Sequence, residues 1–141
     1  MKRIYFETSF FGYLTSRPSR DVMKAARQQA SLELWDLRRQ VFTPLISDLV
    51  LQEATRGDPQ AAGFRLGECA QADVLPITPA AQMFGQMLIN ANAVPATEPE
   101  DALHLAIATL ARVDYIVTWN FAHMVGPSAK FKLSKHIEQA H

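Results

Sequence analysis

At 141 residues, with 48% apolar and 20% charged side chains, the chain has ordinary globular composition and is long enough for one domain with a sizeable core. Fourteen basic and fourteen acidic side chains give zero formal charge, so a nucleic-acid partner would need a local cationic patch rather than bulk charge. The lone Cys69 excludes an intramolecular disulfide or a zinc knuckle and fits a reducing cytoplasm; the acid at position 7 comes too early for a secretory leader, and no apolar run approaches the ~20 residues of a membrane span.

Arg3-Ile-Tyr-Phe6 is β-prone and predicts the first strand, with Glu7, Thr8 and Ser9 at its carboxyl end. Residues 15–20 read as a loop. Asp21–Arg39 predicts a long helix with Val22, Ala25, Ala26, Leu32, Leu34 and Trp35 at helical spacing. Val41–Leu45 predicts a second strand with Pro44 near its end, where a missing N–H does least harm.

Ser47 or Asp48 then caps a helix reaching about Thr55, with Glu53 as its central acid, and Arg56-Gly57-Asp58-Pro59 breaks it. Another helix is expected over Ala61–Ala72 and a brief strand over Val74–Ile77. A helix starting at Thr78-Pro79 should carry Met83, Phe84, Met87, Leu88 and Ala91 on one face, as core or dimer surface.

The stretch from Thr97 to Asn120 carries the most information. Thr97 and Glu100 have the spacing of a capping box, and Pro99 suits a first helical turn, whose N–H groups lack intrahelical partners. From Ala102 to Ala111 only His104 and Thr109 are not apolar, which predicts a buried helix with Asp101 at its positive end and His104 on the same side. Tyr115–Thr118 predicts a strand buried on both faces, ending in Asn120. Phe121–Pro127 reads as a short helical turn and Ser128–Gln139 as a basic helix.

Alternating strands and helices argue a mainly parallel sheet covered on both faces, and polar groups at strand carboxyl ends mark where such sheets bind ligands. Glu7, Glu53, Asp101 and Asn120 supply three carboxylates and an amide from separate elements. That donor set suits a hard divalent ion, Mg²⁺ or Mn²⁺, able to activate water for phosphoryl displacement. Each residue also has a plainer role: Glu7 a loop acid, Glu53 an exposed helix acid, Asp101 a helix-cap acid, Asn120 a turn former, His104 a satisfied core histidine. A phosphate-loop enzyme is disfavoured, because Gly12 stands alone after the first strand and no Walker lysine follows.

The succession of apolar strand, Glu7-Thr8-Ser9, a helix acid, Glu100-Asp-Ala-Leu-His-Leu-Ala-Ile-Ala108 and Ile116-Val-Thr-Trp-Asn120 resembles the PIN-domain family, particularly the toxin nucleases of VapBC-type toxin–antitoxin operons. The resemblance implies one domain over residues 1–141, a three-layer α/β/α sandwich with a mainly parallel central sheet. It implies a Mg²⁺- or Mn²⁺-dependent endoribonuclease that acts on RNA, pairs with a cognate antitoxin and forms a homodimer. The family's acids fall on Glu7, Glu53, Asp101 and Asn120, with Glu7, Asp101 and Asn120 as metal ligands and Thr8, Ser9, His104 and Thr118 around them.

Two positions depart from the family's pattern. The first is usually Asp and is here the longer Glu7; the fourth is usually Asp and is here the uncharged Asn120. Three carboxylates attract a second cation less strongly than four, so the alternative is a weak or inactive PIN-like module that binds RNA or protein. Arg17, Arg20, Lys24, Arg27, Lys130, Lys132 and Lys135 are the candidate RNA-facing cations, and their contribution should fall with salt.

Overall fold

A computed structural model describes residues 1–120, which form ten elements falling into two compact units. The first unit is Met1–Leu75 with Val113–Trp119; the second is Pro76–Arg112 together with Asn120. The expected turn at 121–127 and the basic helix at 128–139, with Lys130, Lys132 and Lys135, lie outside the described residues.

The first unit holds a wholly parallel four-stranded sheet. Its strands are β1 (Lys2–Phe6), β2 (Phe42–Ser47), β3 (Asp73–Leu75) and β4 (Tyr115–Val117), in the order β3-β2-β1-β4. Its helices are α1 (Thr8–Thr15), α2 (Val22–Trp35), α3 (Asp48–Ala54) and α4 (Pro59–Cys69). β2 runs two residues beyond the expected end because Leu45, Ile46 and Ser47 pair with Asp73, Val74 and Leu75. Pro44 therefore lies inside the strand rather than at its end. Pairing with β3 begins only at Leu45, so on that side Pro44's missing N–H deprives no neighbour, while Ile4 stands opposite it on β1.

Local chemistry accounts for most boundaries. Asp21 caps α2 by accepting from the Lys24 N–H, Ser47 caps α3 through Val50, and Asp58 caps α4 through Ala61 with Pro59 in the first turn. The Gly57 break sits at φ +83°, a backbone conformation that favours glycine. Helix α2 stops at Trp35 rather than Arg39, because the chain turns back into β2 through Arg39 at φ 67°. Its expected apolar face is also smaller than the sequence suggests: Ser31 and Trp35 are buried, while Val22 is 82% exposed.

The core of this unit is aromatic. Trp35 meets Phe6 and Phe11 edge-on at centroid distances of 5.1 and 5.4 Å, and Phe10 and Phe42 pack on the same Phe6 ring at 4.6 and 5.6 Å. The Trp35 indole N–H donates to Glu68, so its one polar atom is satisfied on α4. Cys69, also buried, has its thiol pushed up to about 12 by burial and stays neutral and unreactive at ordinary pH. Strand β4 departs from the expectation of burial on both faces: it ends the described sheet order, and Tyr115 is 58% exposed.

The second unit packs α5 (Pro79–Asn90) against α6 (Pro99–Leu110). Thr78 caps α5, and Ala81, Phe84, Gly85 and Leu88 form its buried side, whereas Met83 and Met87 of the expected stripe point outward. Gly85 marks the close approach, since a Cβ there would lie 3.5 Å from the Ala102 carbonyl oxygen. α6 is buried along most of its length, as its composition predicts, but the capping box does not form. Its N-cap is Glu98, one residue past Thr97, with no side-chain cap bond, because Pro99 takes the first helical position. No helix among the described residues is long and apolar enough to cross a membrane.

Replacing Trp35 by alanine removes the ring on which Phe6, Phe10 and Phe11 converge and takes the partner from Glu68. Chemical denaturation should show a loss of about 3–5 kcal/mol; a loss below 1 kcal/mol would place the stabilising core elsewhere.

Candidate functional site

In the first unit the expected residues converge at the carboxyl ends of β1 and β4. Glu7 follows β1 directly, and its N–H continues the ladder by donating to the Val117 carbonyl at 3.0 Å. Its extended backbone, with φ −76° and ψ 158°, makes it the N-cap of α1, and its Oε2 accepts from the Ser9 N–H at 3.1 Å. Oε1 accepts from the Ser9 hydroxyl and from the Thr118 hydroxyl, the latter at 2.7 Å. Glu7 is only 5% exposed, so a carboxylate is buried here with three donors fixing its direction.

Glu53 reaches the same place from α3. The Thr8 hydroxyl donates to its Oε1 at 2.6 Å, and a carboxylate oxygen of Glu53 lies within 4.8 Å of one of Glu7. Thr8, Ser9 and Thr118 thus stand beside the acids and orient them. The plainer reading of Glu53 as an exposed helix acid is not met, since it is half-buried and held by Thr8. Two oxygen donors this close, each with remaining lone pairs, fit the chemistry of a hard divalent cation.

Sequence reading did not single out the support beneath this pair. Tyr5, on β1, shares a 2.8 Å hydrogen bond with Ser47, and the Ser47 hydroxyl also accepts from Val50 as the cap of α3. Burial drives the Tyr5 phenol well above its ordinary range; the Ser47 bond pulls the other way, and the nearby Glu7 and Glu53 raise it further. The phenol is therefore neutral at any working pH. It links the strand that ends in Glu7 to the helix that carries Glu53. The two-residue spacing from Tyr5 on β1 to Glu7 just after it was the only local signal, because the partner lies 42 residues away.

In the second unit Asp101 is the third residue of α6, 7% exposed, where the helix dipole favours an anion. The Asn120 amide donates to both of its oxygens, at 3.3 Å to Oδ1 and 3.1 Å to Oδ2. His104, one turn further along, is completely buried.

The Tyr5–Ser47 link is testable through stability. Ser47→Ala removes a helix cap and takes a hydroxyl partner from Tyr5, and should cost about 2–3 kcal/mol. In a double-mutant cycle with Tyr5→Phe, the coupling should be about 1 kcal/mol; additive losses would show that the two hydroxyls act independently.

No protein-family model and no curated protein sequence matches the chain. Among solved structures, the crystal structure of Mycobacterium tuberculosis VapC20, a Sarcin-Ricin loop cleaving toxin, superimposes with a TM-score of 0.62 at 17% identity. The match covers 84% of this chain and 90% of that one. At that identity the likeness speaks for the fold, and the fold is the VapC-like, PIN-type α/β arrangement with a parallel sheet.

Proposed function

We propose that this protein is a divalent-metal-dependent endoribonuclease, the toxin of a toxin–antitoxin pair, working on RNA in the cytoplasm. The observation that carries the reading is the Glu7–Glu53 approach within 4.8 Å. Both carboxylates are held by hydroxyls at the carboxyl edge of a parallel sheet. Two carboxylates so close repel when both are ionised, and a bound divalent cation nearby would offset that repulsion. The likeness in fold to VapC20, which cleaves the Sarcin-Ricin loop, supports the choice of RNA.

The reading assigns Asp101 and Asn120 to the same reaction on the strength of the family pattern, with Glu7, Asp101 and Asn120 as ligands to Mg²⁺ or Mn²⁺. When bound, such an ion supplies an activated water and stabilises charge in an in-line displacement at phosphorus. Glu7 would offer the ion oxygens whose directions are set by Ser9 and Thr118, and Thr8 orients the Glu53 carboxylate beside it. Asn120 orients the Asp101 carboxylate by donating to both oxygens. His104, buried in α6, helps fix the helix that carries Asp101. A homodimer and a cognate antitoxin complete the proposal; the outward Met83 and Met87 offer apolar surface for association.

One observation favours a second reading, a PIN-like module with weak catalysis that acts by binding. Asn120 engages Asp101 through its N–H₂ group, so it consumes acceptor capacity where the family's usual acid would add charge.

Cleavage of a mixed RNA pool in Mn²⁺, Mg²⁺ or chelator separates the two. Metal-dependent cleavage should fall by roughly a hundredfold or more in Glu7→Gln and Asp101→Asn. Thr118→Val should weaken metal affinity about 10–100-fold, because it frees the Glu7 carboxylate to turn. Asn120→Asp should raise activity if charge limits the site. Wild type and Asp101→Asn behaving alike would end the nuclease reading.

A further inference from the structure

Tyr13 on α1, Arg27 on α2 and Trp119 after β4 come together within the first unit. The Tyr13 and Trp119 ring centroids are 5.8 Å apart, inclined at 58°. The Arg27 guanidinium carbon lies 5.8 Å from the Tyr13 ring centre and 5.4 Å from that of Trp119, and Nη1 donates to the Tyr13 hydroxyl at 3.1 Å. All three side chains are half-buried, with part of each surface open.

The trio is fixed rather than loosely collected. The Trp119 indole N–H donates to the Ser31 hydroxyl at 2.9 Å, and that hydroxyl donates to the Arg27 carbonyl at 2.7 Å. The Trp119 backbone N–H donates to the Ser9 hydroxyl, which also donates to Glu7. The aromatic surface therefore stands one hydrogen-bonded residue from the Glu7 carboxylate.

A purely structural role leaves the charge of Arg27 unexplained. Among the described residues no carboxylate lies within ion-pair distance of it, and the Tyr13 bond uses one of its five N–H groups. A half-buried guanidinium facing two π systems, with donors to spare, is complementary to a phosphate beside a base.

We infer that Tyr13, Arg27 and Trp119 hold one unpaired nucleotide of the RNA, its base stacked against the aromatic–guanidinium surface and its phosphate on Arg27. This rests on the nuclease reading for the choice of RNA, and it narrows the substrate to strands with a base out of the helical stack near the cleaved bond. A base paired within a duplex cannot offer its face to this surface.

The test measures binding of a fluorescent single-stranded oligoribonucleotide to the full chain in chelator, where no metal-dependent cleavage occurs. Trp119→Leu should bind about tenfold more weakly. Trp119→Phe, which keeps an aromatic face, should recover most of that loss. Arg27→Gln should lower the dependence of log affinity on log salt by about one. Against an oligonucleotide with one abasic nucleotide at the contacted position, found by scanning the strand, wild type and Trp119→Leu should bind alike.

Equal affinities of wild type, Trp119→Leu and Arg27→Gln for the intact strand overturn the inference. So does a loss in Trp119→Phe as large as in Trp119→Leu, which would trace the effect to the Ser31 bond rather than to stacking. Cleavage in Mn²⁺, run in parallel, keeps the two readings apart. Cleavage with unaltered binding in the variants removes the nucleotide site alone, and stacking-dependent binding without cleavage removes the nuclease alone.

Discussion

The hydrogen-bonded carboxylate of Glu7 is the constraint on which the carboxyl edge of the first unit's sheet depends. One side chain ends β1, caps α1 through the Ser9 N–H and ties the strand to the end of β4 through Thr118. Burying a carboxylate costs several kcal/mol unless donors replace water, and Ser9 and Thr118 supply them. The same hydroxyl of Ser9 then receives the Trp119 N–H, so the carboxylate and the residue after Thr118 are set by one network. An aspartate, one methylene shorter, would reach less far toward Thr118; the longer glutamate and its hydroxyl partners belong together.

Beneath this network, Tyr5 and Ser47 solve a second placement problem. Glu53 belongs to a helix of only seven residues, which has little stability of its own. Its start is fixed by a buried Ser47 cap, and that cap is bonded to a buried phenol on the neighbouring strand. The charges of Glu7 and Glu53 reinforce burial in keeping Tyr5 protonated, so this support does not titrate away at ordinary pH.

In the second unit the balance differs. Asp101 gains from the positive end of α6 and from two contacts of the Asn120 amide. An amide stabilises one neighbouring carboxylate by hydrogen bonding but adds no charge for a metal, whereas an acid would add charge and repel Asp101. Asn120 thus satisfies the Asp101 carboxylate without adding charge beside it.

Much of the architecture was legible because its signals are local. The β-prone runs, the Ser47, Thr78 and Asp58 turn chemistry and the apolar α6 depend on neighbours within a few residues, so the alternating α/β order and the acids at strand and helix ends follow from sequence alone. The boundaries that failed had two causes, a distant strand partner for β2 and a proline beside the expected cap of α6. Pairing with Asp73–Leu75 carried β2 past Pro44, and Pro99 displaced the expected cap from Thr97 to Glu98. Val22 and Tyr115 read as core yet are exposed, because periodicity reports a face without reporting whether anything covers it. Only the tertiary structure could decide that Tyr5 meets Ser47, that Thr8 holds Glu53 and that Arg27 faces Tyr13 and Trp119. A hydrogen bond or a cation–π contact depends on ångström-scale geometry between residues far apart in sequence, and no local pattern encodes that distance.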